Sequence, residues 1–281
     1  MRKLLSICGE YATEYCISFN ASKSKCLAVL PANRRELNSY LNECRFTVND
    51  QPIELVTSFQ HLGHTITSQL NDVSDIVAKQ YAFIGQTNIV LCFFRKLTSY
   101  VKYRLFRSYC TSYYGCELWS LTTSNISDLC TAWRRGVRSI WNLPHATHCY
   151  LLPLICQCLP VFDELCRRSI NFARSCVSHE SKLISQIASY GMHFARCNSP
   201  MGSNILFCAD RYQTNIDNIL SGSTNHVVYS HYNRSITDVQ LRASSFLSEL
   251  VSIRDSRQSF FGSVAFTKPE LVEIINHICT N

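Results

Sequence analysis

"SFQHLGHTITSQLNDVSDIV", residues 58–77, is where the chain changes character. Its first ten residues are β-prone and bend at Gly63, where a backbone needs conformational freedom or close approach. From Asp72 onward the apolar residues fall at helical spacing, with Val73, Ile76 and Val77 opening a helix. Strands before and helices after predict an α+β chain, predominantly helical.

Upstream, "RFTVNDQPIELV" (45–56) holds two short β-prone runs around Asn49-Asp50-Gln51-Pro52, a hairpin signal. "CLAVLP" (26–31) reads as a buried strand stopped by Pro31. Residues 2–15 read as an amphipathic helix whose inward face is Leu4, Leu5, Cys8, Tyr11, Ala12 and Tyr15. Downstream, a break near Gly85 to Asn88 separates one helical run from "IVLCFFRKL". Thr98 is placed to N-cap a helix over 99–114 with Val101, Leu105 and Cys110 inward. A helix from Ser127 to about Asn142 buries Leu129, Trp133, Val137 and Ile140. Two more helical patterns follow in 150–190. Periodicity is weak across 196–235, which reads as a weakly structured stretch, and Lys268-Pro269-Glu270 marks a helix start in the tail. The segmentation is therefore 1–70, 71–142 and a mostly helical 143–281.

Net charge is +7, and it is localised. Residues 79–141 carry nine basic residues (Lys79, Arg95, Lys96, Lys102, Arg104, Arg107, Arg134, Arg135, Arg138) against two acids, Glu117 and Asp128. The remaining 18 basic and 18 acidic residues cancel. Such a segment is either a solvated helical face or a footprint for phosphate contact. Lys102, Arg104 and Arg107 alternate with Tyr100, Tyr103, Phe106 and Tyr109, which serve either as core or as stacking partners for bases and sugars.

No apolar run approaches the roughly 18 residues of a membrane span, and no export signal is readable, so an intracellular, cytoplasmic or nuclear, chain is expected. The 16 cysteines then act as small hydrophobes rather than a disulfide scaffold. His145-X-X-His148-Cys149 with Cys156-X-Cys158 is a poor match to zinc-ligand spacing, so no metal site is expected.

Order then becomes informative. The helix "LLSICGEYATEY" leads into "ISFNASKSKCLAVL", a hairpin, "FQHLGHTI", basic helices, "YGCELWSL" and "AWRRGVRSIWNLPHATH". Over roughly residues 3–180 the chain resembles the C-terminal half of a reverse transcriptase from a non-LTR (LINE-type) retrotransposon. Phe19-Asn20-X-X-Lys23-X-Lys25 resembles that family's motif D, and Phe59-X-His61-Leu62-Gly63 resembles motif E, the primer grip.

The resemblance implies a palm remnant in 1–70, a helical thumb in 71–142 and a helical region after it. It puts Lys23, rather than Lys25, near the departing pyrophosphate, where an ammonium can donate a proton. It assigns Phe59, His61, Leu62 and Gly63 to the primer 3′ end, and the nine cations to an RNA/DNA template–primer duplex. There are departures. Cys16-Ile17-Ser18 replaces the family's Gly-Leu before Phe-Asn. Polymerisation also needs carboxylates that hold two Mg²⁺ ions, yet no Asp-Asp occurs in the 281 residues and the first Asp is Asp50. The expectation is a truncated, polymerase-inactive fragment that binds no Mg²⁺ itself. Its Asp-Asp turn and N-terminal polymerase portion would lie upstream of Met1, and strands 26–31 and 58–67 would lack partners. The alternative is an inert or domesticated helical interaction protein.

Overall fold

Strand and helix segregate along the chain as the 58–77 stretch leads one to expect, giving an α+β protein that is predominantly helical. The computed structural model describes residues 2–20, 22–29, 46–48, 51–145, 147, 149–156, 158–193, 199–221 and 227–234. The helix start at Lys268-Pro269-Glu270 lies outside them. Two units form, Met1–Asp75 and Ile76–Asn281.

In the first unit, α1 (Arg2–Glu14) precedes β1 (Lys25–Leu27), β2 (Phe46–Val48), β3 (Gln51–Val56), β4 (Ser58–His61) and β5 (His64–Thr67). The β2–β3 hairpin forms where expected, with Val48 opposite Gln51. Strand β1 is shorter than its sequence signal and half-buried rather than buried. It is not orphaned: it pairs in parallel with β3, in the order β1-β3-β2. Segment 58–67 also has its partner within itself, because β4 and β5 pair antiparallel. The inward face of α1 is narrower than predicted. Ala12 alone is buried, Leu5 and Cys8 are half-buried, and Leu4, Tyr11 and Tyr15 are exposed. Helix α1 packs on β2, and three residues of strand cover only a narrow strip.

The helices are α2 (Val73–Phe93), α3 (Ser99–Tyr109), α4 (Asn125–Ile140), α5 (Leu151–Cys156), α6 (Val161–Val177), α7 (Lys182–His193), α8 (Pro200–Arg211) and α9 (Ile216–Ser221). A 3₁₀ turn, Cys116–Leu118, lies between α3 and α4, and residues 227–234 are also helical. The break predicted near Gly85 is absent. Helix α2 runs through it because Phe83, Thr87 and Val90 are buried on one side, while Gly85 faces open space. A glycine's cost in a helix is about 1 kcal/mol, less than such burial returns.

Thr98 caps α3 as expected, accepting from the Val101 N–H, but the helix ends at Tyr109. Of its predicted inward face Cys110 is buried and Leu105 half-buried, but Val101 is exposed, and Tyr103 and Phe106 are buried instead. Helix α4 buries the predicted Leu129, Trp133, Val137 and Ile140. Gly136 permits its close approach, since a Cβ there would sit 3.2 Å from Phe106 and 3.3 Å from Thr87.

The 196–235 stretch, expected to be weakly structured, holds two named helices and the helical residues 227–234. Ser199 caps α8 by accepting from the Gly202 N–H, with Pro200 opening the helix. From α8, the buried Asn204 reaches the chain beside the fully buried Trp119. Its Oδ1 accepts from the Leu121 N–H at 2.9 Å, and its Nδ2 donates to the Trp119 carbonyl at 2.8 Å. Nearby, buried Asp163 accepts from Arg211 (2.9 and 3.1 Å) and from the Tyr212 hydroxyl (3.0 Å). One apolar core runs from Ile76 to Val228 and includes Cys110, Cys116, Cys130, Cys156, Cys166 and Cys208 as free thiols. Burial pushes Cys116 up to about 12 and Cys130 to about 11, so both stay protonated at neutral pH. Among the described residues no helix is long and apolar enough to cross a membrane.

Asn204→Ala removes the side chain that pairs the buried Leu121 N–H and bonds the Trp119 carbonyl. It should lower unfolding stability by about 2–4 kcal/mol, read as a reduced urea midpoint at unchanged slope.

Candidate nucleic-acid interface

Lys23 sits on a turn built by Asn20. The Asn20 side-chain oxygen accepts from the Ser22 hydroxyl (2.6 Å) and the Lys23 N–H (3.1 Å), and its carbonyl accepts from the Ser24 N–H (3.0 Å). This side chain-to-backbone pattern fixes the Phe-Asn corner and leaves Lys23 exposed. Lys25 is committed elsewhere: its ammonium lies 2.5 Å from Glu54, its register partner on β3. The geometry therefore separates the two lysines.

The β4–β5 hairpin turns at Leu62-Gly63, both with positive φ (48° and 77°). That is the pattern of a tight primed turn, whose twist matches the flanking strands. Phe59 and His61 lie on one face with ring centroids 6.4 Å apart, and Leu62 stands 75% exposed at the tip. The four residues named from the sequence are thus brought together.

What the sequence did not single out is Asp75, buried in the first turn of α2. Its Oδ1 accepts the Thr65 N–H at 3.0 Å and its Oδ2 lies 3.0 Å from His64 Nδ1. It ties the hairpin to the start of α2. The signal available was an acid in a first helical turn, where the helix dipole favours it.

The nine cations do not form one surface. Arg95, Lys96, Arg104, Arg107 and Arg135 are exposed. Lys102, expected on display, is buried at 8% because the helix turns its side inward with Tyr103 and Phe106. Tyr103 and Phe106 are accordingly core, whereas Tyr100 and Tyr109 remain outside. Lys79 is half-buried, 5.7 Å over the Tyr114 ring. Arg134 donates to the Thr131 hydroxyl at 2.7 Å. Arg138 is a clip: its Nη2 donates to the Thr147 carbonyl (2.7 Å) and the Cys149 sulfur (3.5 Å), fastening the chain after α4. Arg135 lines a groove of about 300 Å³ between α2 and α4, together with Asp128, Gln80 and Phe83. An acid and a guanidinium in one groove do not make an anion site.

Among the described residues the Mg²⁺ implied by the resemblance finds no matching donor set. Among the described residues no three of His, Cys, Asp or Glu gather to hold a metal ion. In the first unit, Glu54 is engaged by Lys25, and Asp75 by Thr65 and His64. No protein-family model, no curated protein and no solved structure matches this chain.

Asp75→Ala frees the Thr65 N–H. Hydrogen exchange across 58–67 should accelerate about tenfold or more while the amides of α4 and α6 keep their protection.

Proposed function

We propose that the chain is a fragment of reverse-transcriptase type that holds a template–primer duplex by its phosphates, without sequence preference and without polymerising. One observation carries the binding half. Residues 76–116 contain six basic residues and no Asp or Glu, and four of those six (Arg95, Lys96, Arg104, Arg107) are exposed. An exposed field of one sign is matched by a polyanion. The tight Phe59–Gly63 hairpin supports the primer-grip role, since a rigid tip with two rings on one face can prop a strand end. Lys23, exposed on its fixed turn, supports the motif D role. The lack of an Asp-Asp pair supports inactivity of these 281 residues alone.

A helical interaction protein is the second reading. It draws on Leu183, Ile187 and Tyr190, exposed along one face of α7 with no charge among them.

For an RNA/DNA hybrid followed by fluorescence anisotropy, affinity should fall about a hundredfold between roughly 50 and 200 mM salt. Arg104→Glu with Arg107→Glu should weaken binding at least tenfold; an unchanged isotherm would place the contact elsewhere. Primer extension with Mg²⁺ or Mn²⁺ should give no product, and any extension sinks the inactive assignment.

A further inference from the structure

Within the acid-free stretch, cations and exposed rings crowd one place, the elbow between α2 and α3. Phe94 N–H donates to the Val90 carbonyl (3.2 Å) and Leu97 N–H to the Phe94 carbonyl (3.0 Å), so the turn is tight. It leaves Arg95 and Lys96 exposed at its tip. Phe93, just before it, is 80% exposed, and Tyr100, just after it, 59%. Along α3, Tyr100, Arg104 and Arg107 recur at i, i+4 and i+7, one exposed stripe. Arg104 Nη1 lies 3.5 Å from the Tyr100 hydroxyl. The first turn of α3 adds its own partial positive charge.

We infer that this elbow is a stacking platform for unpaired nucleotides. Phe93 and Tyr100 take base faces, and Arg95, Lys96 and Arg104 take the phosphates between them. The inference rests on the nucleic-acid reading above and extends it from duplex to single strand. A duplex hides its base faces in its own stack, so exposed rings gain nothing from it beyond the charge term. A single strand offers every base face, and stacking on an aromatic ring tolerates any sequence. A purely apolar protein partner fits less well, because it leaves the elbow cations unmatched.

The test uses the full chain with a fluorescein-labelled 20-nucleotide oligothymidine and a 20-base-pair duplex, titrated by anisotropy at several salt concentrations. The single strand should bind about tenfold tighter than the duplex. Phe93→Ala and Tyr100→Ala should each weaken single-strand binding by about tenfold, leaving its salt slope and the duplex affinity unchanged. Arg95→Gln with Lys96→Gln should weaken both probes and reduce the salt slope by about 2. Unchanged far-ultraviolet circular dichroism confines these effects to the surface. Equal binding of both probes, with both alanine variants silent, overturns the platform and leaves the phosphate-contact reading standing. No binding of either probe overturns both. A self-associating chain that Phe93→Ala renders monomeric makes the elbow a self-interface and also overturns the platform.

Discussion

The carboxamide of Asn204 joins parts of the second unit far apart in sequence. It satisfies the Leu121 N–H and the Trp119 carbonyl at once, so the irregular chain between α3 and α4 is paired by a side chain from α8. Buried backbone groups left unpaired are costly, and the fully buried Trp119 requires this stretch to pass through the core. Asn is suited to the task because it offers one acceptor and two donors on a short stem. In the same unit α4 lies with Gly136 against Phe106 and Thr87. The exposed sides of α2 and α3 then follow from which sides that packing consumes.

Electrostatics follow the same logic. Packing divides the cations of the basic segment into those with internal duties and those left to solvent. Arg138 fastens the chain after α4, Arg134 bonds Thr131, and Lys102 is drawn in with the core face of α3. What remains outside is smaller than the sequence total and better focused. Burial and internal pairing, more than net charge, decide which part of a basic chain is free to meet a phosphate.

The parts of the fold legible in the sequence are those whose signal is local. Gly63 and the Asn49-Asp50-Gln51-Pro52 cluster mark hairpins by backbone requirement, and α4 repeats its apolar residues cleanly enough to be read residue by residue. Helix α3 misleads because basic and aromatic residues interleave, so its inward face is settled only by Phe83 and Tyr113, whose rings pack near Phe106 and Phe83 respectively. Gly85 misleads in the opposite sense, its local cost being outweighed by burial on the other side of α2. Helix α8 stays hidden because, beside Ile205, it buries Gly202, Asn204, Cys208 and Ala209, small or polar residues that carry little hydrophobic contrast. Within the candidate site, Lys23 and the Phe59–Gly63 group came from the order of motifs. Asp75 did not, because an acid in a first helical turn gives no hint of the strand it will receive.

The turn at Leu62 has a mechanical consequence. A non-glycine residue with φ of 48° carries about 1–2 kcal/mol of backbone strain. Its side chain, out in solvent, contributes no packing to offset it. The strain is therefore held by the β4–β5 ladder below the tip and by the Asp75 contact to Thr65. Weakening either support should therefore let the tip relax from its left-handed conformation.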